Sequence, residues 1–137
     1  MAPVHGTHQC FDHFFWSAKP LFSLSSRIWN PPVDISETPD RVLIRMEVAC
    51  VRPSDFSVTV DKGNLYIRGH RRHRPPGKDE DFHVMEISYG CFERVFRLPD
   101  GIVEDGIVAS YREGFLDIEI PKGASKGSTI KIPIRKG

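Results

Sequence analysis

Four side chains near the start of the chain have the chemistry of metal ligands: His5, His8, Cys10 and His13. Imidazole and thiolate both suit zinc. Their spacing matches no standard zinc module, and no flanking structure is legible to hold them, so a structural or adventitious role is expected rather than a metal site. A second cluster, His70-Arg71-Arg72-His73-Arg74, is basic enough to contact phosphates. Asp79, Glu80 and Asp81 follow within the same loop, so the run reads as solvated or partner-facing. Cys50 and Cys91 lie in strand-like surroundings and read as small buried hydrophobes, which leaves Cys10 as the candidate exposed thiol. The stretch Gly123-Ala124-Ser125-Lys126-Gly127-Ser128 has the wrong spacing for a phosphate loop. No G-x-G-x-x-G, G-x-S-x-G or C-x-x-C occurs. The expectation is a protein without catalytic residues, metal or cofactor, and not an enzyme.

The elements that would position any working residue divide the chain in three. Its 137 residues suit one domain with tails, and a formal charge of +1 gives no bulk reason to expect nucleic acid binding. No apolar run approaches the roughly 18–20 residues of a membrane helix, so stable membrane anchoring is not expected. The first residues lack the early charge of a signal peptide, and three scattered cysteines make no disulfide framework, so a cytoplasmic location is expected.

Residues 1–32 carry three charged residues, against 34 in the other 105, yet six of the fourteen aromatics: Phe11, Phe14, Phe15, Trp16, Phe22 and Trp29. Phe11, Phe14 and Phe15 have helical spacing, and Pro20 would end such a helix. A segment this apolar needs a core, a partner or an oligomer to cover it. After Pro31-Pro32 the period changes to two, and residues 33–121 read as one domain. Val42, Ile44, Met46 and Val48 alternate with polar residues, as do Phe56, Val58 and Val60, then Leu65 and Ile67, then Leu116, Ile118 and Ile120. Alternation broken by turns every 8–12 residues predicts an all-β, immunoglobulin-like, two-sheet antiparallel sandwich. Val33 and Ile35 begin it, Gly63-Asn64 reads as one tight turn and Gly114 as another.

Residues 71–81, RRHRPPGKDED, are too charged and too rich in proline for a central strand. Phe82–Ile87 returns to strand-like character inside this long loop, and loops of such length are usually functional. Residues 122–137 form a basic extension (+5, no acid) ending in Ile130-Lys131-Ile132-Pro133-Ile134. Its three isoleucines fall on one side of an extended chain that Pro133 helps to fix.

In this order the motifs resemble those of the small heat shock proteins, and the middle block is similar to their α-crystallin domain. The resemblance is carried by Val33–Thr38, by Asp55–Val60 with Asn64–Gly69, by Gly90–Pro99, and by Ala109–Leu116 with its A-x-x-x-x-G-x-L pattern. Ile132-Pro133-Ile134 completes it as an I-x-I tail. Ala49-Cys50 stands where the family usually has Pro-Gly, Glu113 where Asn is common, and Phe115 where a smaller aliphatic is common.

The resemblance implies an ATP-independent holdase that binds partly unfolded proteins, prevents their aggregation and passes them to ATP-driven refolding chaperones. It also implies a dimer formed by exchanging the strand of the loop over about 70–90, with Phe82, His83, Val84, Met85, Arg94 and Arg97 at the interface. Arg94 is expected in a charge-paired contact. Dimers would then join through the N-terminal segment, whose six aromatics also serve clients, and through the tail. Ile132 and Ile134 are the expected docking pair, entering a groove between the strand of Val58 and Val60 and that of Ile107 and Ala109. A monomeric co-chaperone of the CS type is the alternative; it shares the sandwich but lacks both the strand-bearing loop and the I-x-I tail.

Overall fold

The computed structural model describes residues 28–123 and 130–137. Nine strands form in order: β1 (Val33–Glu37), β2 (Arg41–Glu47), β3 (Phe56–Asp61), β4 (Asn64–Arg71), β5 (Gly90–Arg97), β6 (Val108–Arg112), β7 (Phe115–Pro121), β8 (Ile130–Ile132) and β9 (Ile134–Lys136). Single 3-10 turns at Pro53–Asp55 and Glu104–Gly106 lead into β3 and toward β6. One sheet has the order β1-β2-β7-β6-β9 and the other β5-β4-β3-β8.

Alternation decides which face of each strand goes inward. In β2, Val42, Ile44 and Met46 are buried between exposed or half-buried neighbours; in β7 the set is Leu116, Ile118 and Ile120. Val58 and Val60 of β3, Leu65 and Ile67 of β4, and Phe92 of β5 meet them from the other sheet. Each such side chain contributes about 1.5–3 kcal/mol on full burial. All neighbouring strands run antiparallel except β6 and β9, which pair parallel, so the sheets are not uniformly antiparallel. β1 departs from the expected alternation: Val33 packs on the core, but Ile35 is 50% exposed because β1 is an edge strand.

The tight turns sit one residue earlier than Gly63-Asn64 suggests. Lys62 and Gly63 carry the positive φ values, 53° and 80°, and Asn64 already faces Asp61 as the first residue of β4. Glu113 and Gly114, at 55° and 85°, form the equivalent turn before β7. Two positive φ values in a row match the right-handed twist of the flanking strands. A different glycine is required by packing: a Cβ on Gly69 would lie 2.1 Å from the Phe92 ring, which lies across β4 at that position.

Both sides of the sandwich are closed by segments that cross between sheets at proline. On one side Trp29 bridges to Phe92 of β5, and after Pro31-Pro32 the chain enters β1 in the other sheet. On the other, β8 pairs with β3, and after Pro133 the chain joins β6 of the opposite sheet as β9. Proline suits both crossings, because the chain changes hydrogen-bonding partner there and an N–H is dispensable.

Candidate functional site

The tail groove is built by two strand edges. β3 and β6 each have one neighbour within the 33–121 block, β4 and β7 respectively, which leaves a row of unpaired backbone groups on either sheet. The chain's own tail fills both. Ile132 lies opposite Val58 and Ile130 opposite Val60, while Ile134 lies opposite Ala109. Ile132 is 3% exposed and belongs to the core; Ile130 and Ile134 are half-buried against it. All three isoleucines therefore dock, with Ile132 deepest, where the sequence singled out Ile132 and Ile134. Ile107 lies just before β6 rather than in it, but is buried beside the same groove. Gly137 N–H donates to the Tyr111 carbonyl at 3.1 Å and ends the seat.

The loop between β4 and β5 forms no strand. Residues 72–89 have no ladder partner among the described residues, and Phe82–Ile87, expected to pair with a second copy, forms no strand within the single chain, since a strand is defined by its neighbour. Phe82, Val84, Met85 and Ile87 are 45%, 69%, 68% and 66% exposed. With His73 and Tyr89 they border a cavity of about 280 Å³, and His83 is exposed beside them. Four large apolar side chains in one short segment form a patch of the kind that marks an interaction site.

The base of that loop is held by a cluster the sequence reading did not find. Arg71 donates through Nε to the Ser88 carbonyl at 3.0 Å and through Nη1 to the Ala49 carbonyl at 3.3 Å. Its guanidinium lies 4.4 Å from the centre of the Trp29 indole and 5.5 Å from that of the Tyr89 ring. The Trp29 indole N–H in turn donates to the Gly90 carbonyl at 3.3 Å, and its ring meets Phe92 edge-on. Trp29 is thus part of the sandwich wall, whereas composition grouped it with the apolar leader. Phe11, Phe14, Phe15, Trp16 and Phe22, and the His5, His8, Cys10, His13 cluster, lie outside the described residues. Among the described residues, no group of three or more His, Cys, Asp or Glu could hold a metal ion.

The basic run is tied down rather than simply solvated. Arg72 pairs with Asp55, whose side chain is 1% exposed, at 3.0 Å, and Arg74 pairs with Glu80 at 3.1 Å. His70 projects from β4 on the outer face, since Leu65, Ile67 and Gly69 point inward. Its Nδ1 is buried with no hydrogen-bond partner. Burial holds the imidazole below its ordinary pKa; Asp55 acts in the opposite direction and Arg72 in the same one.

Arg94 of β5 donates to the Pro31 carbonyl at 2.8 Å and stacks near Phe96, so within the chain it braces the Trp29–Pro32 crossing through a backbone oxygen rather than a carboxylate. Arg97 donates to the Lys62 carbonyl at 3.3 Å, across the β3–β4 turn. Cys50 is exposed, contrary to the expectation of a buried thiol, because it occupies a turn at φ 59°. Cys91 is half-buried on β5, short of the fully buried thiol expected. Tyr111 fastens the same turn: its hydroxyl donates to the Val48 carbonyl at 2.8 Å and accepts from the Val51 N–H at 3.3 Å.

Comparison with known proteins bears on this geometry. Residues 34–135 match the model of the Hsp20/alpha crystallin family. The chain is 32% identical over 127 residues to small heat shock protein C2 of Rickettsia felis, covering 91% of this chain and 82% of that protein. It is 33% identical over 124 residues to the 16.9 kDa class I heat shock protein 3 of Oryza sativa subsp. japonica, covering 88% and 83%. Among solved structures, a small heat-shock protein from Xylella fastidiosa superposes with a TM-score of 0.64 at 40% identity, covering 73% of this chain and 92% of that one. The hspA protein of Xanthomonas axonopodis gives 0.62 at 41% identity, covering 69% and 94%.

Proposed function

This chain belongs to the Hsp20/alpha crystallin family, and from that premise we propose that it is an ATP-independent holdase working as a dynamic assembly of dimers. Family membership supports a chaperone role. The finer reading rests above all on one observation: Phe82, Val84, Met85 and Ile87 are exposed on a segment that has strand-like sequence and no ladder partner among the described residues. A second copy supplies the partner. Of the sheet edges, β5 is bridged by Trp29, and β3 and β6 are covered by the tail, whereas β1 has no second ladder partner among the described residues and its Ile35 is half-exposed. Adding the loop strand to the partner's β1 gives main-chain hydrogen bonds and pockets for alternate side chains. Arg94 and Arg97, on β5, would lie along that dimer face.

The tail supplies the second junction. Released from its own groove, it fits that of another copy with the same register. Burying Ile132 is worth about 1.5–3 kcal/mol, and ordering the tether and joining two bodies costs several. One link is therefore weak, and many links per assembly hold by avidity while still exchanging. Clients are recognised by apolar surface normally covered at such junctions, with Phe11, Phe14, Phe15, Trp16 and Phe22 as the richest supply and Trp29 anchoring the segment to the sandwich. Handing clients to ATP-driven refolding chaperones, and a cytoplasmic setting, complete the proposal.

The experiment is light scattering from a heat-aggregating client protein with this chain at stoichiometric amounts and no nucleotide. Suppressed scattering is expected. Undiminished scattering would remove the holdase reading.

A further inference from the structure

We propose that Arg71 is the positioning residue of the loop arm: it sets the direction in which residues 72–89 leave the sandwich and so determines dimer affinity without needing to touch the partner. The inference rests on the strand-exchange reading above. Both stems of the loop meet at this side chain. Arg71 itself ends β4, and its guanidinium reaches the Ser88 carbonyl and lies near the Tyr89 ring on the returning stem. His73, on the outgoing stem, packs on the other side of the loop against Tyr89, ring centres 4.5 Å apart.

The same guanidinium is fixed from the body of the molecule. It lies against Trp29, which is anchored by its bridge to Phe92 and by the indole hydrogen bond to Gly90. Its Nη1 reaches Ala49, in the turn that Tyr111 fastens to β6. One planar cation thus joins both stems of the loop to two anchored elements, Trp29 and the turn at Ala49. Arg72, paired with Asp55, holds only the root of the outgoing stem, and Arg74 pairs with Glu80 inside the loop; the apolar patch itself makes no ladder with the described residues. An arm free to sample many directions is exchange-competent only part of the time, and apparent affinity falls by that fraction.

Lysine cannot reproduce the arrangement. An ammonium can satisfy a carbonyl but cannot lie flat on an indole while forking to two backbone oxygens. Arg71→Lys keeps the charge and the half-buried stem, so it isolates the geometry.

The test measures dimer dissociation by sedimentation over a dilution series, for the full chain and for Arg71→Lys, with thermal unfolding of both. The same substitution is also placed in a Val84→Ser/Ile87→Ser background, whose arm cannot pair. Arg71→Lys should weaken the dimer about tenfold and leave the melting temperature of the Val84→Ser/Ile87→Ser protein unchanged. Wild-type dimer affinity in Arg71→Lys overturns the proposal. So does an equal loss of melting temperature in both backgrounds, which would make Arg71 an ordinary brace of the sandwich. Intact dimers in Val84→Ser/Ile87→Ser itself overturn the strand-exchange reading, and this inference with it.

Discussion

Cys50 occupies backbone that glycine would fill without strain. At φ 59° its Cβ crowds the following carbonyl, a cost of order 1 kcal/mol for a residue other than glycine. Cys50→Gly should therefore raise stability by no more than about 0.5 kcal/mol once the unfolded glycine's extra entropy is subtracted, measured by urea unfolding. The departure from the family's Pro-Gly was legible in the sequence as an oddity, but its consequence, an exposed thiol, needed the turn. Gly69 is the opposite case. Its place within an alternating strand gives no sign that the Phe92 ring lies where a Cβ would go. Gly69→Ala should cost about 1–3 kcal/mol by overpacking, and Phe92→Leu in the same chain should recover part of it, because the two changes share one contact. His70 makes a pH prediction. Its folded pKa lies below the ordinary value near 6.5 because burial disfavours the charged ring. Between those two pKa values the unfolded chain binds the proton and the folded chain does not. Stability is thus full above the unfolded pKa and falls as pH drops through it toward the folded one. Thermal unfolding at about pH 7.5 and pH 5.5 should show a smaller acid loss for His70→Gln than for wild type.

At the scale of elements, the strands were legible because a half-buried sheet imposes period two, and β2, β3, β4 and β7 follow it residue by residue. Three features were not legible, each for want of a neighbour in the sequence. Phe82–Ile87 has the composition of a strand, but none of the described residues pairs with it. Trp29 belongs with Phe92 and Arg71, 63 and 42 positions away along the chain, and local composition cannot announce such distant contacts. Arg72 reads as one member of a basic run, and only the turn at Pro53–Asp55 brings Asp55 beneath it. The tail was legible as a docking strand, and its register adds a ranking. Ile132→Ser should release β8 and β9 most, costing about 2–4 kcal/mol locally, with Ile130→Ser and Ile134→Ser milder because both side chains are only half-buried. Hydrogen exchange at β3 and β6 reads the order; equal effects of all three would contradict it.

For the whole molecule, the proposal is that apolar surface is kept in junctions rather than in a single sealed core. The sandwich closes its own interior, yet leaves an apolar arm in water and a tail seated through only two three-residue strands. Surface held this way is available when junctions open, which is what a binder of unfolding proteins needs, and the proposed cycle uses no nucleotide. The account's central claim is that these surfaces are covered by other copies of the same chain, reversibly. The most direct measurement is the mass of the full chain by light scattering coupled to chromatography, over a range of loading concentrations. The account predicts a multiple of the 15.6 kDa subunit that declines on dilution and is smaller in Ile132→Ser. A single-subunit mass at every concentration would contradict it.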